Sequence, residues 1–379
     1  MIYRPIGKTG MSASVIGLGG EYLDHKPYEV SEEVVGTALE HGINIIDVFM
    51  PGAPVRENIA KALGANRSKV LIQGHIGSVD LDGQYHRTRE VGECKAYFED
   101  LLRCFGGYID LGMMFFIDTE EDYRESFETE FLTYVQRLKQ DGKIRAIGAS
   151  CHDPEMGIRL METGIVDVIM FSVNIAYDML PSDVYIIDVM EELDASRFRG
   201  IEPKRARFYE LCENRGVAIT TMKTLGAGKL ISAEFSPFSE PLSVGQCIHY
   251  ALTRPAVVST LIGCKTRGEV EEAVKYLGMT DEERDYSKAI KGFKGDWSAK
   301  CVYCNHCLPC PSEIDIAAVT RLVDVASLDE SSVSAELKDR YGKLAHTASD
   351  CIECGSCEER CPFGVKVIDN MRSAARIFE

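Results

Sequence analysis

One tryptophan in 379 residues, no basic tract and no apolar run near the ~20 residues of a membrane helix set the first bounds on this chain. The tryptophan, Trp297, precedes the first cysteine of a dense group and most simply anchors the chain there. The missing apolar run makes a membrane span unexpected. The missing basic tract argues against nucleic acid as a partner, because 59 Asp and Glu face 42 Lys and Arg, for a net charge of −17. No signal-peptide pattern opens the sequence, so a soluble, cytoplasmic protein is expected. Disorder has little to draw on either, since 45% of the residues are hydrophobic. The length leaves room for one large α/β domain and a small appendage. Composition sets no oligomeric state.

Cysteine, in contrast, is plentiful and patterned. Of fourteen, eight fall in two quartets: Cys301, Cys304, Cys307 and Cys310 followed by Pro311, and Cys351, Cys354, Cys357 and Cys361 followed by Pro362. A [4Fe-4S] cube needs four thiolates at tetrahedral corners. Two-residue gaps let three successive cysteines wrap one cube, while the fourth, turned away by its proline, ligates the other. The second quartet has this spacing, and the first closes with a two-residue gap where three is usual. The expected sets are Cys301, Cys304, Cys307 and Cys361 on one cluster, and Cys351, Cys354, Cys357 and Cys310 on the other. Zinc sites would explain paired cysteines but not four in a row with a trailing proline, twice. A disulfide framework suits a small secreted domain, which this is not. Exposed clusters of this kind belong in a reducing, low-oxygen cytoplasm. The other six, Cys94, Cys104, Cys151, Cys212, Cys247 and Cys264, are scattered, and most read as small buried hydrophobes.

From residue 12 to residue 278 short apolar runs alternate with amphipathic stretches, eight times over. The strand candidates are SASVIGLGG, NIIDVF, KVLIQGHIG, IDLGMMFFID, IRAIGAS, DVIMFSVN, VAITTMK and VVSTLIG. Helical patterns such as SEEVVGTALEHG, VRENIAKALG, SFETEFLTYVQRLKQDG and DPEMGIRLMETG lie between them, each closed by glycine. Eight such units predict an α/β fold, a (β/α)8 barrel over 1–278, with its site at the C-terminal ends of the strands. The longest interruption, from Tyr177 to about Lys204, reads as a lid or substrate wall. A linker, 279–300, could span roughly 50 Å if half helical and half extended. It leads to a mostly helical ferredoxin-like domain at 301–379, with helices expected over DIAAVTRLVDVAS and SAELKDRYGKLAH.

GLGG at the first strand, NIIDVF at the second, YIDLGMMFFID at the fourth, GKIRAIGAS at the fifth, MKTLGAGKL at the seventh and IGCKTRGEVEEA at the eighth occur in order. In these motifs residues 1–278 resemble the aldo/keto reductases, and with the quartets the whole chain resembles their iron–sulfur branch. The resemblance implies carbonyl reduction with a nicotinamide cofactor by an Asp, Tyr, Lys, His tetrad. Asp47 matches the Asp. Gly52 falls near the Tyr place, His75 at the Lys place and Phe115 at the His place. Ser150 matches the carboxamide-binding Ser, whereas its Asn partner falls at Cys151. Met170 and Val173 stand for the Gln and the ring-stacking Tyr, and Asn174 matches. Lys265 and Arg267 would grip a 2′-phosphate, although Ala273 holds the adenine-binding Asn place. Lys223 ends the seventh strand, where its amine reads equally as a phosphate contact or a structural ion pair, and Gly226 and Gly228 lie in the GAGKL pattern after it, whose backbone amides could cradle a phosphate. This pattern admits a phosphate-bearing cofactor such as NADP(H), and a flavin is the alternative that would match clusters carrying single electrons.

Asp47 beside His75 is the sharpest catalytic constellation, since a carboxylate raises the proton affinity of a neighbouring imidazole. The plain alternative is that Asp47 holds a loop while His75 fills a lost lysine's space. Tyr22, His25, Tyr85 and His86, on loops after the first and third strands, are candidates for a replacement phenol or imidazole. The apolar run Met113 to Phe116 reads as core. The sequence therefore predicts an oxidoreductase that passes electrons through two [4Fe-4S] clusters to or from a small-molecule substrate or second cofactor, with an electron-donor protein as a further partner. The alternatives are an NADPH-dependent carbonyl reductase with structural clusters, and a non-catalytic electron-transfer or redox-sensing protein.

Overall fold

The computed structural model describes residues 1–189, 193–291, 299–329 and 333–379; Trp297 and part of the expected linker lie outside the described residues. The chain divides into two compact units: Met1–Ser172 with Gly216–Thr224 and Ala256–Gly278, and Val173–Arg215 with Leu225–Pro255 and Met279–Glu379. In space, then, two segments between barrel strands group with the C-terminal residues.

The first unit holds a closed parallel barrel of eight strands: β1 (Ile16–Gly19), β2 (Ile45–Val48), β3 (Leu71–Ile76), β4 (Ile109–Met114), β5 (Ile144–Cys151), β6 (Val168–Ser172), β7 (Ala218–Met222) and β8 (Val257–Gly263). Each pairs with its sequence neighbours and β8 pairs with β1, as the eightfold pattern predicts. The antiparallel hairpin Tyr3–Pro5 with Ser12–Ser14 closes the N-terminal end. Its neighbours Ile6, Met11 and Ala13 join Ile45, Leu71, Leu111, Ala146, Val168 and Ala218 in one buried cluster. These strand residues fix the inward register. Because side chains alternate along a strand, Asp47 follows Ile45 inward, Gln73 and His75 follow Leu71, and Thr220 follows Ala218. The lower barrel is thereby apolar and the upper barrel polar. Gly148 makes this possible on β5, since a Cβ there would run into the Met113 sulfur.

One helix expectation is corrected. The stretch SFETEFLTYVQRLKQDG spans two helices, Glu120–Phe127 and Glu130–Gln140. Thr129 breaks it: its side chain accepts from the Phe131 N–H and caps the second helix, a local bond that competes with continuation.

In the second unit the expected helices are Ile316–Ala326 and Ala335–Gly342, followed by Val367–Phe378, which the sequence reading did not single out. No strand occurs within the described residues of 301–379. Ala206, from helix Pro203–Arg215, packs into the same apolar core as Val319, Leu322, Tyr341 and Met371. Glu210 of that helix is buried and takes Arg321 Nε at 2.5 Å and Arg340 Nε at 2.7 Å. Two cations on one buried carboxylate make its truncation expensive, because both would be left without a counter-charge. The first half of the expected linker is ordered into short helices, Asp281–Arg284 and Ser287–Lys291, with Tyr286 buried between them.

Candidate functional site

At the C-terminal ends of β2 and β3, Asp47 Oδ1 lies 2.8 Å from His75 Nε2 and accepts from Gln73 Nε2 at 2.7 Å. Asp47 is 2% exposed and His75 3%. Gln73 is oriented in turn by Thr220, whose hydroxyl donates to Gln73 Oε1 at 2.9 Å. An ionised carboxylate only accepts, so the pair places a proton on His75 Nε2. His75 Nδ1 is buried and has no hydrogen-bond partner among the described residues. Such an orphan nitrogen is an unusual element in a folded interior. It is the atom at which this imidazole can hold or release a second proton.

Aromatic rings enclose the imidazole. Phe115, just past β4, lies edge-on to His75 with ring centroids 5.5 Å apart, and Phe49, just past β2, lies edge-on at 6.1 Å. Tyr85 meets the Phe49 ring at 5.1 Å and the Phe115 ring at 6.2 Å. It comes from the hairpin Ser78–Leu81 with Gln84–Arg87, an insertion after β3. Phe49 and Tyr85 also line a cleft of ≈ 730 Å³, together with Glu21, Asp24, His25 and the loop from Met50 to Val55. That volume suits a small organic molecule. Burial, and then Glu21, raise the Tyr85 phenol above its ordinary value. Gly52 lines the same cleft and caps helix Ala53–Leu63.

The other expected site residues have varied settings. Ser150, 3% exposed on β5, accepts the Phe116 N–H at 2.8 Å. Beside it His152 is held to Asp118 twice, through its backbone N–H at 2.6 Å and Nδ1 at 2.9 Å. Lys223 stands at φ 58, a conformation rare outside glycine and common at functional sites. Burial pushes its amine down, while Glu21 and Asp118 hold it up. Lys265 and Arg267 are exposed. Lys265 stacks 4.5 Å from the Tyr22 ring, and Arg267 is engaged by Glu40 at 2.9 Å and Glu271 at 2.7 Å. Glu269 accepts the Lys265 backbone N–H at 2.5 Å. In the second unit Asn174 caps helix Ile175–Asp178 through the Tyr177 N–H at 2.9 Å. Gly226 and Gly228 adopt φ 57 and 87 in a turn whose amides at Gly228, Lys229 and Leu230 bond back to Leu225 and Gly226 carbonyls. Those amides are engaged within the turn.

The two cysteine quartets interleave. Cys310, Cys351, Cys354 and Cys357 line one small cavity, with Pro311, Ile314, Val367 and Met371 as its apolar wall. Cys361 does not line it, and lies instead within charge–charge range of Cys304 and Cys307. Arg360 fastens this arrangement, donating to the Cys307 carbonyl at 2.6 Å and the Pro309 carbonyl at 2.7 Å. Burial pushes the Cys304 thiol up to about 11 and the Cys307 thiol up to about 12. Thiols so raised become thiolates when bound iron supplies the positive charge. Among the described residues no three His, Cys, Asp or Glu side chains converge as a single ion requires. The four donors instead ring a shared space, and this donor set fits a [4Fe-4S] cube.

Gln73, Thr220, Phe49 and Asp118 were not singled out in the sequence. Their signal there was faint: each is a polar or aromatic residue at or near a barrel strand's C-terminal end, with no motif around it.

Comparison with known proteins agrees with this architecture. A family model described as the aldo/keto reductase family matches residues 15–238, more than half the chain, and one described as a 4Fe-4S dicluster domain matches 297–365. An L-galactose dehydrogenase from Arabidopsis thaliana is 24% identical over 327 residues, covering 76% of this chain and 93% of that protein. The holo form of an aldo-keto reductase from Bacillus halodurans superposes with a TM-score of 0.59 at 20% identity, covering 77% of this chain and 97% of that one. No helix among the described residues is long and apolar enough to cross a membrane. The closed parallel barrel, the match along most of it and the paired cysteine quartets make this chain an oxidoreductase that belongs to the aldo/keto reductase family and carries a 4Fe-4S dicluster domain.

Proposed function

We propose that this chain is an iron–sulfur oxidoreductase that exchanges electrons, through two [4Fe-4S] clusters, with a small organic substrate or second cofactor at the C-terminal ends of the barrel strands. The observation that carries this reading is the buried Asp47–His75 pair with its unpartnered Nδ1. The clusters would supply single electrons, whereas a nicotinamide delivers a hydride. Electrons arriving singly at an organic group must be matched by protons from elsewhere. His75, with Asp47 stabilising its charged form, is the group that holds such a proton, and Gln73 and Thr220 fix the carboxylate that orients it. Phe49 and Phe115 keep water from the imidazole, which strengthens the pairing. The cleft beside Phe49 and Tyr85 is the place for the substrate. Reduced protein electron donors are the expected source of the electrons.

A second reading, NADP(H)-dependent carbonyl reduction with structural clusters, is favoured by the match to L-galactose dehydrogenase across the barrel. Two observations weigh against it: no phenol occupies the position at Gly52, and Arg267 is already engaged by Glu40 and Glu271. The experiment is an anaerobic purification with iron, sulfide and bound-cofactor analysis, followed by turnover assays. Simple aldehydes with NADPH are expected to react slowly, by a factor of about 10² to 10⁴ relative to a family member with the full tetrad. Rapid NADPH-linked aldehyde reduction that survives removal of the clusters would give the second reading precedence.

A further inference from the structure

Arg254 is buried and makes no ion pair among the described residues. It follows helix Val244–Leu252 in the second unit and is 3% exposed. One of its nitrogens, Nη2, donates to Thr253 Oγ1 at 3.0 Å and to the Tyr303 carbonyl at 3.2 Å. The other two, Nε and Nη1, have no hydrogen-bond partner among the described residues. Two rings flank it: its guanidinium carbon lies 4.3 Å from the Tyr250 ring centroid and 5.5 Å from that of Tyr303. Asp178, the carboxylate of this buried network, is taken by Arg205 at 2.6 Å, Tyr209 at 2.8 Å and Tyr250 at 2.7 Å. A buried cation left this way is among the least favourable arrangements in a folded protein.

Tyr303 connects that cation to the cysteines. It lies between Cys301 and Cys304, at φ 56, and its N–H donates to Cys301 Sγ at 3.4 Å. A second cation, Arg321, lies 5.3 Å from the same ring, yet Arg321 has Glu210 as its carboxylate. Arg254 makes no ion pair among the described residues, and Asp178, already paired with Arg205, acts on it only at longer range. A [4Fe-4S] cube held by four thiolates is an anion, and its negative charge grows by one on reduction.

We infer that Arg254 is the built-in counter-charge of the cluster held by Cys301, Cys304 and Cys307, setting its reduction potential upward through the Tyr303 segment. The inference rests on the proposed function in requiring that cluster. It makes Arg254 a positioning residue, with no contact to substrate. A fixed positive charge favours the more negative, reduced state, and because it is buried its effect is little screened by salt. It also predicts that charge, rather than the planar shape of the side chain, is what matters.

The test is an anaerobic redox titration of the loaded protein, followed by electron paramagnetic resonance, for wild type, Arg254→Gln and Arg254→Lys. Arg254→Gln is expected to shift the equilibrium of one cluster roughly tenfold toward its oxidised form, about 59 mV for a one-electron couple, and to leave the other within about twofold. Arg254→Lys should stay within about threefold of wild type. Loss of the cluster in Arg254→Gln with retention in Arg254→Lys would equally support the charge role. An unshifted potential in loaded Arg254→Gln overturns the inference, as does equal loss of iron in both variants, which would mean shape and hydrogen bonding alone. A wild-type protein that binds no iron would instead sink the proposed function itself.

Discussion

Cys361→Ser should strip the cluster of the first quartet and spare that of the second. Wild type, loaded anaerobically, is expected to hold about eight iron and eight acid-labile sulfide per chain, and the variant about four of each. The expectation follows from where the sulfurs lie. Cys361 lies outside the cavity that Cys310 shares with Cys351, Cys354 and Cys357, and within charge–charge range of Cys304 and Cys307. Cys310→Ser should therefore produce the reciprocal loss, although each serine lies in the opposite quartet to the cluster it damages. Spectra that assign the loss in Cys361→Ser to the second cluster would mean that each quartet serves its own cube. Stoichiometric zinc with little sulfide in wild type would remove the clusters from the account altogether.

Much of this was legible in the sequence because it is written in local spacing. Two-residue gaps between cysteines and a trailing proline are local, and so is the alternation that builds the barrel. The strand ends could also be read: Asp47 and His75 fall near the ends of adjacent apolar runs, and a parallel barrel brings such positions side by side. What spacing could not supply is the identity of partners. Gln73 sits in an apolar run where an amide has no visible purpose until Thr220, some 147 positions away, closes on it. Lys265 and Arg267 read as a phosphate grip, yet Glu40 and Glu271 engage Arg267 and the Tyr22 ring takes the Lys265 ammonium, partners that sequence spacing does not reveal. Thr129 was hidden for the opposite reason: its own hydroxyl ends a pattern that hydrophobic periodicity alone would continue. Arg254 gave no signal at all, because a cation is ordinary in sequence and unusual only once its burial and its unpartnered Nε and Nη1 among the described residues are known.

Turnover of the true substrate is expected to fall by about 10² to 10⁴ in Asp47→Asn and in His75→Phe, the range typical of losing a positioned proton donor. Iron content and fold should be unchanged, since both residues lie in the barrel unit and the cysteines lie in the other. The two groups touch at 2.8 Å and form one device: Asp47 orients and stabilises the imidazole, and the imidazole carries the proton. Removing either disables both, so the double variant should be little worse than either single one. On the proposed reading, His75→Lys supplies the residue type that the resemblance implies there but no phenol at Gly52, and should not restore ordinary carbonyl reduction. Tyr85→Phe separates a second possibility, because its ring packing against Phe49 and Phe115 is kept while the hydroxyl is lost. The deciding measurement is a pH–rate profile with a low-potential donor under anaerobic conditions. If the alkaline limb of His75→Phe matches that of wild type while Tyr85→Phe loses activity, the proton comes from the phenol at the cleft and the buried pair is structural.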